Sequence, residues 1–375
     1  MRSHLGQFQF LRSWIFHVAI LIALALGLLA LKPNASPFWA DEAYTVLAVR
    51  AESWPALIQI NLRNEETPPL YFVLARSWAL FWGDSREASL RLLSTIAFVG
   101  CIPLIALLGT QLWSRSVGLT AALLLAINPF ALYYAQEARA YVLAVFLSLL
   151  LALAAVVYVQ RPGRWPWLAS VLSGTALCYT SYFGGLTVAG LGLAVGWLLL
   201  YRAWHFPPTL AWQTRWGALL GWIGVQLVVL LLLLPWIPAV QYQIVVAEAT
   251  TQSASRNLFA QVGTGLLALI TAFPNNNMVS LILVVLAILQ LLLGFLWVTM
   301  LATWTQRIWL TGGLLIPVLA AVLIFQGDSQ FTARYLLLAQ PWLLLALAAA
   351  ALEVGQLQRY FVSIGRGLLD SLCWF

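Results

Sequence analysis

Apolar residues along the chain gather into long runs separated by short polar turns. The runs fall at about 13–31, 89–111, 117–133, 140–159, 166–182, 184–201, 217–238, 279–302, 308–325 and 334–352. Most approach the roughly 20 residues that carry an α-helix across a hydrocarbon core, and a helix satisfies every backbone group within itself. The pattern predicts an all-α polytopic membrane protein with about ten transmembrane helices. Two apolar stretches do not fit a span. Pro69–Trp82 is short and follows Pro68-Pro69; Leu258–Phe273 is short and carries two glycines. Both read as interfacial or re-entrant segments.

Composition agrees. Hydrophobic residues make up 62% of the 375 and charged residues 8%, with a mean hydropathy of +0.90. Soluble domains carry about 45–50% apolar and about 25% charged residues, so a soluble enzyme, a disordered chain and a nucleic-acid binder are excluded. The three cysteines and three histidines are scattered and make no disulfide framework or zinc motif. The N-terminal run lacks a convincing small-x-small cleavage site and reads as a retained first span.

The net charge of +7 reports topology. With the N-terminus inside and ten spans, the inner side receives Arg2, Arg12, Arg115, Arg161, Arg164, Arg202, Arg215, Arg307, Arg359 and Arg366 against only Glu353 and Asp370. Counting Pro69–Trp82 as a span would flip the short Arg-bearing turns outward, against the positive-inside bias. The segment 32–89 is therefore one outer loop with interfacial helices, and 353–375 a short cytoplasmic amphipathic tail. No internal repeat and no soluble C-terminal domain is visible, so residues 1–375 read as a single transmembrane module.

The remaining acids, Asp41, Glu42, Glu52, Glu65, Glu66, Asp84, Glu87, Glu137, Glu248 and Asp328, concentrate at the outer boundary, where four polar clusters stand out. They are Phe38-Trp39-Ala40-Asp41-Glu42-Ala43-Tyr44, Asn64-Glu65-Glu66-Thr67-Pro68-Pro69-Leu70-Tyr71, Tyr133-Tyr134-Ala135-Gln136-Glu137-Ala138-Arg139-Ala140-Tyr141 and Phe331-Thr332-Ala333-Arg334-Tyr335. Each has an ordinary explanation: acids at a helix N-terminus, a stiff loop, a local ion pair, an interfacial Arg–Tyr anchor. Those explanations do not require all four to lie on one side. Adjacent helical residues point about 100° apart, so one of Asp41 and Glu42 aims at a reacting atom. Acids and arginines around one outer pocket suit transfer to a polar acceptor from a lipid-linked phosphate, the acid activating the nucleophile and the arginines gripping the leaving phosphate.

In order and topology over roughly 13–352, these motifs resemble the GT-C superfamily of membrane glycosyltransferases. They are similar in particular to bacterial relatives of the dolichyl-phosphate-mannose protein mannosyltransferases and of the lipid A aminoarabinose transferase. The resemblance implies an enzyme that moves a sugar from a polyprenyl-phosphate donor to a lipid, glycan or protein acceptor at the outer face of the cytoplasmic membrane, with inversion. It implies catalytic roles for Asp41, Glu42 and Glu137, and donor-phosphate contacts from Arg139, Arg334 and Tyr335. It further implies a pocket including Glu66, Tyr71, Tyr134 and Tyr141, and a divalent metal on Asp41 and Glu137. Thr67 departs from the family, where His or Lys precedes the first proline. No Gly-rich phosphate loop or Rossmann pattern points to a nucleotide donor. The alternatives are a transporter or flippase of lipid-linked sugars, whose usual repeats and midplane charges are not evident, and a polysaccharide ligase, whose large charged late loop is not evident either.

Overall fold

The computed structural model describes residues 2–31, 40–64, 67–83, 85–205, 212–250, 292, 294, 295, 298, 300–324 and 333–353. Helices run through them, and no strand occurs among the described residues. The first helix is α1 (Arg2–Leu31), followed by three short ones, α2 (Ala40–Val49), α3 (Trp54–Asn64) and α4 (Leu70–Trp82). Next come α5 (Glu87–Leu112), α6 (Arg115–Ile127), α7 (Pro129–Tyr134), α8 (Tyr141–Gln160), α9 (Arg164–Cys178), α10 (Tyr182–His205), α11 (Trp212–Leu233) and α12 (Ile237–Thr250). The last group is α13 (Trp304–Leu310), a π turn (Thr311–Leu315), α14 (Ile316–Ile324) and a 3₁₀ turn (Ala333–Ala339) that leads into α15 (340–353).

Six described segments are long and apolar enough to cross a membrane: Arg12–Leu31, Glu87–Leu112, Tyr141–Gln160, Tyr182–His205, Trp216–Gln243 and Leu336–Glu353. They match six of the ten expected runs. Three others are interrupted or short. The run at 117–133 breaks at Asn128-Pro129: the proline takes the first position of α7, where its missing N–H is harmless, and Asn128 Oδ1 accepts from the Ala131 N–H at 2.9 Å. α6 alone, with 13 residues, rises only about 20 Å. α9 has 15 residues. The run at 308–325 is a rod of α13, the Gly312-Gly313 π turn and α14. The run at 279–302 (apart from a few scattered positions), Leu258–Phe273 and 354–375 lie outside the described residues.

The first loop carries short helices, as the sequence predicts. α4 buries Tyr71, Phe72, Ala75, Arg76 and Ala79, one stripe at helical spacing, against α2 and α5. Its other face exposes Leu80, Phe81 and Trp82, which suits a lipid boundary. It ends at Gly83, whose φ of 63° returns an N–H to the Ala79 carbonyl at no Cβ penalty.

α5 packs on α6 and α8 to form the centre. Glycines set the α5–α6 distance: a Cβ on Gly118 would stand 2.2 Å from the Ala106 carbonyl oxygen. Without a hydrophobic drive between helices in lipid, such close backbone approach supplies the packing. α8 buries most of its surface, whereas α11 exposes Leu227, Leu230 and Leu231 at 60% or more. A leucine face of that extent belongs against acyl chains rather than water.

Candidate active site

Four separate segments meet at one end of the bundle: the N-terminus of α2, the start of α5, the turn at 135–140 between α7 and α8, and the 3₁₀ turn before α15. Asp41 and Glu42, one helical step apart, point to different partners. The Asp41 side chain is about one quarter exposed, and its Oδ2 accepts from Arg334 Nη1 at 2.5 Å. Glu42 is fully buried. Its Oε1 accepts from Arg91 Nε at 2.9 Å and from the Ala138 N–H at 2.8 Å, and its Oε2 meets Arg91 Nη2 at 2.5 Å. Both oxygens of Glu42 are therefore committed within the protein.

The 135–140 turn is buried although it is not regular helix, so its backbone groups need partners. They come from α2 and α5. Thr45 Oγ1 donates to the Ala138 carbonyl at 2.8 Å, Thr95 Oγ1 to the Ala135 carbonyl at 2.9 Å, and Ser94 Oγ to the Arg139 carbonyl at 3.3 Å. The Tyr71 hydroxyl sits 3.2 Å from Ser94 Oγ, and Tyr71 is wholly buried. Tyr71 thus braces the site from behind.

Arg139 and Arg334 converge. Arg139 Nη1 donates to the Asp41 backbone carbonyl at 2.9 Å. The two guanidinium groups lie over the same Tyr141 ring, at 5.8 and 5.7 Å, and Arg139 also lies 5.9 Å from the Phe72 ring. Tyr134 packs edge-on against Tyr141 at 5.2 Å. An aromatic face stabilises a cation most when water is excluded, so these rings help hold two like charges close together.

Glu137 is 1% exposed, and neither carboxylate oxygen has a partner of good hydrogen-bond geometry among the described residues. Burial lifts its pKa to about 7, and the nearby negative charge of Glu42 adds to the rise; the Tyr133 hydroxyl, Arg139 and Arg334 offset it only in part. Glu137 is thus poised to change charge near neutrality. Among the described residues no three of His, Cys, Asp and Glu converge as a cation site. Asp41 is taken up by Arg334 and Glu42 by Arg91 and Ala138, so the carboxylate oxygens left for a magnesium-like ion among the described residues are the unpartnered ones of Glu137. Such an ion commonly takes one or two carboxylates and completes its shell with substrate phosphate and water.

The structure thus brings together Asp41, Glu42, Glu137, Arg139, Arg334, Tyr71, Tyr134 and Tyr141. Tyr335 follows Arg334 in the 3₁₀ turn, but its side chain, like all of Glu66, lies outside the described residues. Sequence reasoning missed Arg91, Ser94, Thr45 and Thr95. Arg91 carried a usable signal: it is an ionisable residue inside an apolar span, which is a functional candidate by default. The serine and threonines carried none.

No protein-family model and no curated protein matches the sequence. Solved structures do. ArnT from Cupriavidus metallidurans in the apo state superposes with a TM-score of 0.57 at 14% identity, covering 92% of this chain and 60% of that one. The apo oligosaccharyltransferase of Archaeoglobus fulgidus gives 0.53 at 12%, covering 94% and 52%. The archaeal oligosaccharyltransferase AglB from the same organism, in complex with an inhibitory peptide and a dolichol-phosphate, gives 0.50 at 14%, covering 93% and 52%. The chain spans about half to three fifths of the length of these proteins. At such low identity the match is one of fold. The chain has the polytopic helical fold of ArnT and AglB.

Proposed function

We propose that this protein is a glycosyltransferase that moves a sugar from a polyprenyl-phosphate donor to a hydroxyl-bearing lipid, glycan or protein at the outer face of the cytoplasmic membrane. One observation carries the reading. The partly exposed Asp41 meets two guanidinium groups that share one aromatic ring, Arg334 at its carboxylate and Arg139 at its backbone carbonyl. That places a proton acceptor beside a ready phosphate site. The neighbours' fold supports it, as does a neighbour bound to a dolichol-phosphate.

The donor phosphate competes with Asp41 for Arg334. Two parallel N–H···O bonds to phosphate are stronger than one bond to a carboxylate, so donor binding draws Arg334 away and frees Asp41. A carboxylate released from a cation is a better base. Asp41 then takes the acceptor hydroxyl proton while that oxygen attacks the anomeric carbon from the side opposite the phosphate. The bond from the anomeric carbon to the phosphate oxygen breaks, its electron pair leaves with polyprenyl phosphate, and the anomeric centre inverts. Arg139 and Arg334 meet the charge developing on the phosphate. Glu137 lies behind them as a buried counter-charge, and Tyr134 and Tyr141 border the path of the prenyl chain. A divalent cation, if bound, would be held by Glu137 and would supply Lewis-acid charge at the leaving phosphate, with Asp41 left uncoordinated as the base.

The test uses the full chain in nanodiscs with a panel of undecaprenyl-phosphate-linked pentoses and hexoses, following release of undecaprenyl phosphate with candidate acceptors. Asp41→Asn is expected to lower turnover about 10²–10⁴-fold without loss of undecaprenyl-phosphate binding. Movement of these lipids between leaflets with no sugar released from any of them would overturn the enzyme reading in favour of a flippase.

A further inference from the structure

Arg91 has no part in that scheme, yet it is among the most deeply buried charges described, at 5% exposure, paired with a carboxylate at 0%. Its fork meets both Glu42 oxygens, Nε at 2.9 Å and Nη2 at 2.5 Å. The same carboxylate also holds the Ala138 N–H at 2.8 Å. One side chain thereby ties three segments together: α2 that carries it, α5 that supplies Arg91, and the 135–140 turn. Thr45, one turn further along α2, holds the other backbone group of Ala138 at 2.8 Å. Both the N–H and the carbonyl of Ala138 are thus gripped by α2. The neighbours of Ala138 are Glu137 and Arg139, and the neighbour of Glu42 is Asp41.

We propose that Arg91 is a positioning residue: by locking Glu42 onto Ala138 it sets the spacing between Asp41 and the Glu137–Arg139 pair, and it leaves Asp41 as the member of the acidic pair open to substrate. The inference rests on the transfer reading for its kinetic consequence, though the clamp itself does not. Stability alone is a poor account of the pair, because a buried ion pair often adds nothing over a neutral pair of similar volume. A guanidinium can meet both carboxylate oxygens in parallel and so fix the carboxylate's angle; an ammonium cannot.

The test compares Arg91→Lys and the double variant Glu42→Gln/Arg91→Met with the full wild-type chain in nanodiscs. Three quantities are read: hydrogen exchange of the 135–140 amides, binding of undecaprenyl phosphate, and kcat and KM on whichever undecaprenyl-phosphate sugar turns over. In Arg91→Lys the Ala138 amide is expected to exchange at least about tenfold faster. Undecaprenyl-phosphate affinity should stay within about twofold, and kcat should fall about 10–100-fold, the scale of a small misplacement of catalytic groups. The double variant removes both charges and keeps an acceptor for Ala138. It should therefore fold even if Arg91→Lys does not, with kcat still lowered about tenfold or more. Unchanged exchange in a folded variant overturns the clamp whether or not any sugar is transferred. A kcat within twofold of wild type, or a loss confined to undecaprenyl-phosphate affinity, overturns the positioning role. Rapid exchange in the variants of a chain that transfers no sugar would leave the clamp standing and refute the enzyme reading instead.

Discussion

Replacing Glu137 by glutamine keeps the shape of the side chain and removes its ability to ionise. In the folded protein this carboxyl is buried without a well-aligned partner, and its pKa stands at about 7 against an ordinary 4.5. Each tenfold step in that ratio is worth about 1.4 kcal/mol, so ionised Glu137 weakens the fold by about 3 kcal/mol. The pH dependence follows from the upward direction of the shift. Below pH 4.5 the group is protonated in both folded and unfolded chains and nothing is lost. Between 4.5 and about 7 the unfolded chain releases the proton while the folded one keeps it, so stability falls as pH rises. Above about 7 the full penalty applies.

Glu137→Gln should therefore raise the apparent melting midpoint at pH 8 by on the order of 5 °C and leave it unchanged near pH 4.5. Turnover of an undecaprenyl-phosphate sugar should fall in the same protein, since a charge kept at such a cost is expected where function needs it. The assay is thermal unfolding of purified wild type and variant in one detergent across pH 4.5–8, beside turnover measurements. A midpoint gain of the same size at every pH would refute the reasoning, and so would a loss at pH 8. The first result would mean that the gain does not come from removing an ionisable group, the second that the carboxylate is well bonded in the fold.

Three further outcomes are expected. Arg334→Lys should weaken undecaprenyl-phosphate binding about tenfold and Arg334→Ala more, because the ammonium cannot form two parallel bonds to phosphate; thermophoresis with that lipid would show it, and unchanged affinity in both would remove Arg334 from the phosphate site. Cysteines placed at Glu65 and Arg161 should react with a membrane-impermeant maleimide from opposite sides; labelling from one side would end the ten-span topology. Gly118→Ala should lower thermal stability by about 1–3 kcal/mol through overpacking, since its methyl would meet the Ala106 carbonyl, whereas Gly196→Ala, with nothing within 4 Å, should not; equal behaviour would refute glycine-set spacing between α5 and α6.

Much of the fold is legible in the sequence because a bilayer imposes one strong rule: a spanning segment must be apolar and must bond its own backbone. The runs of leucine, alanine and valine, the short Arg-bearing turns and the double proline before α4 follow that rule locally. The interruptions were harder to read. Asn128-Pro129 sits inside an apolar run, and its effect depends on an asparagine side chain turning back to cap Ala131. The polar cluster at one end of the bundle was legible as residue types. Asp41, Glu137, Arg139 and Arg334 stood out as charges at a hydrophobic boundary, where each is costly.

Only the tertiary structure decided which acid meets which partner. Asp41 and Glu42 are adjacent and chemically alike, and composition cannot separate them. The difference arises because α5 brings Arg91 and the 135–140 turn brings the Ala138 N–H to Glu42, while the 3₁₀ turn before α15 brings Arg334 to Asp41. These contacts join residues far apart in the chain, so no local pattern encodes them. The same holds for Ser94, Thr45 and Thr95. A hydroxyl inside a helix is unremarkable until another segment places an unpaired carbonyl beside it, and burying that carbonyl without a partner is what the membrane protein cannot tolerate.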